Sequence, residues 1–328
     1  MKNTLKTVVS ALMGFILLTL LSACQQNAEA SLTEDALYEM PKDESAEVKF
    51  SDILAEYQQL NTRLENIAAR LQLANVELCP IKQRDPGYTV HTLDDYSENL
   101  QPVAGYLLGV DENLSLRTVR VGSPADAAGL KPGDKLIRVG TAGLPSGLTQ
   151  KSFYDLAIER EFRRDEAQIT VLRDDQNQTV SITPQTSCGY PIHVFFSQTV
   201  NGYTDGEAVW ITSELMRQLD DDVSLALIVA HEMAHAIAGH MEQTPSKELE
   251  LIADRMALIM LSRAGYDIHQ AIAYWEDTSH PHQQYQNYSL THPNIEERQA
   301  NLNAVYAAIK KAVQDDRPLD FDMVDLKD

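Results

Sequence analysis

Residues 227–240 of this chain read LIVAHEMAHAIAGH. His231 and His235 are four residues apart, so on a helix both imidazoles leave one face and can meet a single cation at about 2.0–2.1 Å. Glu232 sits about 100° around the axis from His231, near such a cation yet free not to bind it. That position suits a general base acting on water whose pKa zinc has lowered toward about 7. The chain holds nine histidines, and the same spacing also reads as the polar seam of an ordinary helix, so a further ligand has to be found.

A tetrahedral catalytic zinc takes a third protein ligand and leaves its fourth position open. Ala238 and Met241 stand where the extended metzincin pattern has glycine and histidine, which excludes that class. His240 follows the end of the helix closely, a poor place from which to turn back. The segment KELELIADRMALIML is a better source. Leu251, Ile252, Met256, Ile259 and Met260 mark a buried helix on which Glu250 and Asp254 share a face. Carboxylates on an apolar helix are costly to bury without a cation or donors, and zinc relieves that cost. Glu250 is therefore the expected third ligand, and Asp254 the acceptor that fixes the tautomer of a ligand imidazole. The alternative is an exposed, acidic helix start.

Other elements must carry these residues. Asp220 to Asp222 favour the N-terminus of a helix from Val223 to about Ala238, ended by Gly239. VFFSQTVNGYTDGEAVWITSELMRQL predicts two strands around a turn at Asn201-Gly202 and then a short helix. Ile53, Leu54, Tyr57, Leu60, Leu64, Ile67, Ala68 and Leu71 recur at helical spacing, which predicts one amphipathic helix from about Asp52 to Leu73. Between Gly105 and Thr183, short β-type runs, GYLLGV among them, alternate with turns. There Pro124 starts a short helix that Gly129 ends, Gly133-Asp134 turn into a strand from Lys135 to Val139, and Thr149 caps a helix over 150–160. HPHQQYQNY at 280–288 is expected as a mobile loop at the cleft.

A chain of 328 residues has room for two globular units, and its net charge of −21 with no Lys/Arg cluster excludes a nucleic-acid partner. Lys2 and Lys6 precede an apolar run from Val8 to Leu21, too short to span a bilayer comfortably and right for a signal peptide. Leu21-Ser22-Ala23-Cys24 resembles the bacterial lipobox, which implies cleavage before Cys24 and lipid on its thiol. Gln25 replaces the aspartate that resembles an inner-membrane retention signal, favouring the outer membrane of a Gram-negative cell. In that oxidising compartment Cys79 and Cys188 can pair or remain two buried thiols. They bracket the β-rich region, and pairing them ties together the chain entering it and the chain leaving it.

GSPADAAGLKPGDKLIRVG resembles the PDZ family, in the circularly permuted form attached to bacterial periplasmic proteases. The resemblance implies a groove where an extended peptide adds as a strand, with Tyr106, Leu107, Leu108 and Gly109 at the loop that meets its C-terminal carboxylate and Leu156 and Ala157 along the groove. The HExxH segment followed by Glu250-Leu251-Ile252-Ala253-Asp254 resembles the gluzincin peptidases of the HtpX, Oma and CAAX-prenyl-protease type, metallopeptidase family 48. NGYTDGEAVWITSELM and THPNIEERQANL resemble that family's flanking elements. This implies one Zn2+ per chain on His231, His235 and Glu250, catalysis by Glu232, His292 facing the oxyanion, and Arg298 and Asp254 in support. Only Met241 to Leu249 separate the two helices, less than is usual in the family, which predicts a more open cleft.

The expected fold class is α+β, a mainly helical gluzincin domain with a small β-rich PDZ-like insert. The expected segments are a signal peptide (1–23), a lipid-anchored acidic linker (24–50), the N-terminal helix and first part of the peptidase (51–100), the PDZ-like domain (101–186), the peptidase proper (187–315) and an acidic tail (316–328). The expected function is zinc-dependent endopeptidase action on cell-envelope proteins, misfolded or outer-membrane ones, from a lipid anchor on the periplasmic face. The alternative is a non-catalytic, chaperone-like lipoprotein that binds peptides with the same fold.

Overall fold

The computed structural model describes residues 46–147, 150–276 and 291–324, all within one compact unit, Pro41–Asp328. The signal peptide, Cys24, the linker up to residue 45, Thr149, the 280–288 stretch and the last four residues lie outside the described residues. The chain runs α1 (Ala46–Ala74), β1 (Lys82–Asp85), β2 (Tyr88–His91), α2 (Gln101–Leu108), β3 (Ser115–Val119), α3 (Pro124–Ala127), β4 (Lys135–Val139), β5 (Ala142–Gly143), α4 (Gln150–Glu161), β6 (Ala167–Arg173), β7 (Gln176–Ile182) and β8 (Gln185–Cys188). It continues through β9 (Ile192–Phe195), β10 (Gly202–Thr204), β11 (Val209–Thr212), α5 (Ser213–Gln218), α6 (Asp222–Ile237), α7 (Lys247–Arg263), α8 (Ile268–Glu276) and α9 (Ile295–Gln314). The architecture is mixed α+β. Among the described residues no helix is long and apolar enough to cross a membrane.

Among the described residues the apolar side chains form two large cores and a small third cluster around Leu54, Tyr96 and Ala104. The larger takes Leu60, Leu64, Ile67 and Leu71 from α1 with the inward faces of α6, α7 and α9 and with Val209 and Ile211 of β11. The smaller lies under an antiparallel sheet of order β2-β3-β4-β6-β7, with β5 on β4, and takes Leu116, Leu136, Val139, Ile169 and Val171 from the strands and Tyr154 and Ala157 from α4. One face of that sheet is buried and the other carries Gln168, Thr170 and Thr179, the alternation expected of an antiparallel sheet. Entry and exit strands β1 and β8 pair antiparallel, Lys82 opposite Cys188, and a disulfide joins Cys188 to Cys79 with their Cα atoms 5.5 Å apart.

The described structure departs from the expectations at three places. The β-rich unit begins at Tyr88, because β2 pairs with β3, and not at 101. GYLLGV is no strand: Tyr106, Leu107 and Leu108 close the helix α2 and Gly109 caps it at φ 63°. Ala104 is buried against Leu54 and Tyr96, with Leu100, Val103 and Leu108 packed around them, a helical period that apolar content alone does not separate from a strand. Helical N–H groups are already bonded to carbonyls one turn back, so Tyr106, Leu107 and Leu108 offer no carboxylate-binding loop; the first is 88% exposed. Of the two groove positions, Leu156 is exposed and Ala157 is buried in the smaller core.

Third, Gly202 opens strand β10 and makes no turn there. The turn falls at 205–208, where Asp205 Oδ1 accepts from the backbone N–H groups of Glu207 and Ala208. β10 pairs antiparallel with β11, and β11 pairs parallel with β9, so β10 is the edge strand beside α6.

Candidate metal centre

Helix α6 starts because Asp221 caps it, its Oδ1 accepting from Val223 N at 3.0 Å and Ser224 N at 2.8 Å, with Asp222 in the first turn. Its residues from Ser224 to Val229 are all buried, and the helix delivers His231 and His235 from one face. Helix α7 packs against it, capped by Ser246, and presents Glu250 and Asp254 one turn apart. A capping box between Asn294 and Glu297 starts α9, whose first turn carries Arg298 inward until it is 2% exposed.

Nε2 of His231 and Nε2 of His235 are 3.2 Å apart. Glu250 completes the triangle, Oε2 3.5 Å from His231 Nε2 and Oε1 3.4 Å from His235 Nε2. A tetrahedron built on zinc bonds of 2.0–2.2 Å has edges of about 3.3–3.6 Å, so these three donors stand where one cation would hold them. Among the described residues this is the one His/Cys/Asp/Glu group with metal-ligand spacing. Two imidazoles and a carboxylate are also a donor set that fits zinc chemically.

Supporting contacts fix the ring orientations. His231 Nδ1 lies 2.9 Å from Asp254 Oδ1, whose other oxygen is 3.1 Å from Arg298 Nε, and Arg298 Nη2 donates to Glu250 Oε2 at 3.3 Å. His292 is at the rim: its Nε2 is 3.6 Å from Glu250 Oε2, its Nδ1 3.1 Å from Thr291 Oγ1, and its side chain is 42% exposed. The sequence expectations thus converge here, Glu232, His231, His235, Glu250, Asp254, Arg298 and His292 in one place.

Electrostatics follow from burial. Glu232 is pushed up to about 7, chiefly by burial and against the pull of His231. Burial, with His231 adding to it, takes His235 down to about 3. Burial works to lower His231, but the Asp254 and Glu250 carboxylates override it and raise the ring to about 10. Glu250 goes the other way, to about 2, because its contact with His231 outweighs desolvation. The Asp254 and Glu250 carboxylates thus favour a proton on His231, which the ring would have to give up to ligate a metal.

Two residues here take places that the sequence does not assign to them. His240 returns to the site, its Nδ1 3.0 Å from His235 Nδ1. Gly202 backs onto α6: a Cβ there would be 2.9 Å from Ile228 Cγ2 and 3.5 Å from Glu232 Cγ. The glycine next to a strand-forming run was the available signal for the second.

A helix pair offering two imidazoles and a carboxylate to one cation, with a further carboxylate alongside, is the arrangement of a zinc metallopeptidase. Residues 178–251 and 242–305 match the sequence model of Peptidase family M48, which supports that family of zinc-dependent metallopeptidases for this part of the chain. Similar solved structures include the HtrA-type protease AlgW with decapeptide (20% identity, TM-score 0.24), covering 32% of this chain and 30% of that one. Another is the HtrA3 PDZ domain bound to a phage-derived ligand, FGRWV (17% identity, TM-score 0.24), covering 32% of this chain and 88% of that one. At that score neither carries an argument. No curated protein matches the chain.

Proposed function

We propose that the chain is a zinc-dependent endopeptidase of the cell envelope. The observation that carries this reading is the triangle of His231, His235 and Glu250 at near-tetrahedral edge lengths, with Glu232 raised toward neutrality beside it. Zinc, when bound, supplies Lewis acidity and lowers the pKa of water. With zinc held by His231, His235 and Glu250, the Glu232 carboxylate would be the base that accepts a proton from water and returns it to the leaving amine. Asp254 and Arg298 keep His231 and Glu250 in register. His292, at the rim, donates to the oxyanion of the tetrahedral intermediate.

The finer parts of this reading rest on sequence. A lipid on Cys24 tethers the enzyme to the periplasmic face, the outer membrane favoured by Gln25. Its substrates are envelope proteins with extended segments, misfolded or outer-membrane ones, and the β-rich unit is a PDZ-like module that presents them. Retention of Glu232 in the site weighs against a purely binding role, which has no need of a base.

The experiment is Glu232→Gln. The amide keeps the size of the side chain and leaves all three donors in place, so the variant should hold close to one zinc per chain while cleavage of an unfolded protein such as casein collapses. Cleavage at the wild-type rate would remove Glu232 as the base and the peptidase reading with it. Cys24→Ala should release the protein from the membrane fraction or leave its precursor unprocessed, and normal processing, acylation and fractionation of that variant would remove the anchor.

A further inference from the structure

We infer that His240 is a positioning residue for His235, holding its imidazole in the one tautomer that can bind the metal; this rests on the zinc reading of the site. His235 Nε2 faces His231 and Glu250 at 3.2 and 3.4 Å, so Nε2 is the ligating atom. A neutral imidazole that offers the lone pair of one nitrogen carries its proton on the other, here Nδ1. That N–H points at His240 Nδ1, 3.0 Å away, the two rings meeting edge-on with an interplanar angle of 77°. His240 Nδ1 must then accept, which places the His240 proton on its Nε2. His231 has the Asp254 carboxylate behind it, and His240 gives His235 the matching acceptor.

The chain builds this contact by a device that sequence distance hides. Gly239 takes the left-handed conformation, φ 65° and ψ 32°, directly after α6, and a tight helical turn over His240–Glu242 follows. The reversal folds the imidazole of His240 back over the last turn of α6, where it is 6% exposed. A ring that only filled space there would need no particular nitrogen facing His235. An acceptor behind a ligand histidine does, and losing one costs about 10–100-fold in metal affinity.

The test measures zinc affinity of the full chain by competition with a chromophoric chelator, alongside thermal unfolding of the zinc-free protein. His240→Asn places an amide oxygen near the position of Nδ1 and should retain most of the affinity. His240→Leu fills the volume without an acceptor and should lose about 10–100-fold. His240→Gln sets its amide where Nε2 was, should behave as His240→Leu does, and is read in its place if that variant unfolds. Wild-type affinity in the Leu and Gln variants, or equal losses in Asn and Leu, would overturn the assignment and leave the peptidase reading untouched. A wild-type chain that takes up no zinc overturns the peptidase reading itself.

Discussion

Oδ1 of Asp254 stands 2.9 Å from Nδ1 of His231, two residues on facing helices that are 1% and 7% exposed. The other oxygen of that carboxylate is 3.1 Å from Arg298 Nε, in a side chain only 2% exposed. One buried carboxylate thus serves a ligand and a guanidinium together. Asp254→Asn keeps an acceptor for the imidazole but takes from Arg298 the nearer of its two carboxylates, leaving Glu250 at 3.3 Å, so the cost should be a part of the about 3–5 kcal/mol of a broken buried pair. Urea unfolding should register that loss, and zinc affinity should fall about 10–100-fold. Unchanged stability would show that the contact with Glu250 alone is enough for the Arg298 charge.

Removing Glu232 has a pH signature in the zinc-free protein. Its folded pKa is raised by burial to about 7, so between the ordinary carboxylate range and pH 7 the folded chain binds more protons than the unfolded one. Stability therefore falls as pH rises through that window and stays at its lower level above it. Zinc-free Glu232→Gln should melt higher than zinc-free wild type at pH 8, with the gap closing by about pH 4. Melting curves at several pH values check this. A gap that is constant with pH would assign the difference to packing.

The ligand pattern was legible because helical periodicity alone places His231 with His235 and Glu250 with Asp254 on common faces. The α+β class and the strand from Lys135 to Val139 were legible for the same kind of reason, a turn signal next to a periodic run. What failed depends on contacts between distant segments. GYLLGV is apolar enough for either element, and its packing against Leu54 and Tyr96 decides for helix. β2 joins the β-rich unit only through pairing with β3, on the far side of α2. Gly239 marks the helix end in the sequence, but that its left-handed turn folds His240 back onto His235 shows only in three dimensions.

The disulfide should carry stability and not chemistry. Cys79 and Cys188 are 109 residues apart in sequence, and closing a loop of about 100 residues is worth about 4–5 kcal/mol on the chain-entropy account. The double variant Cys79→Ser/Cys188→Ser should lose about 2–5 kcal/mol by urea unfolding while its zinc affinity holds. Peptide mapping of the unreduced protein should show the linkage. Two free thiols there would mean that the bond plays no part in the native chain.

Glu65 joins the two cores. It sits on α1 and accepts from Arg117 at 2.6 Å, from Thr89 at 3.2 Å and from Thr118, all on β2 and β3, with its side chain 11% exposed. Glu65→Leu leaves Arg117 without its partner and should destabilise by several kcal/mol, about 3–5 for a buried pair. Glu65→Leu/Arg117→Leu should recover part of that loss, since an apolar pair of similar volume avoids the unpaired charge. Hydrogen exchange should rise first in β2 and β3. Protection lost evenly over the whole chain would argue that the contact holds no particular junction.

Gly202 sets how closely the edge strand β10 approaches the helix bearing Glu232. A Cβ at this position would lie 2.9 Å from Ile228 Cγ2 and 3.3 Å from Ile211 Cδ1, inside ordinary contact distance, and both neighbours are buried. The cheapest relief is a shift of β10 away from α6, because α6 is packed on its other sides by the larger core. Gly202→Ala should therefore cost about 1–3 kcal/mol, the usual range for overpacking. It should also slow peptide cleavage, since the strand forms the wall beside the base. Zinc affinity should hold, because none of the three donors touches the glycine. Ile228→Leu removes the β-branch methyl that the new Cβ would strike, so adding it to Gly202→Ala should restore part of both stability and cleavage. If Gly202→Ala loses zinc in proportion to activity, the strand acts on the metal site itself, and the packing account of Gly202 fails.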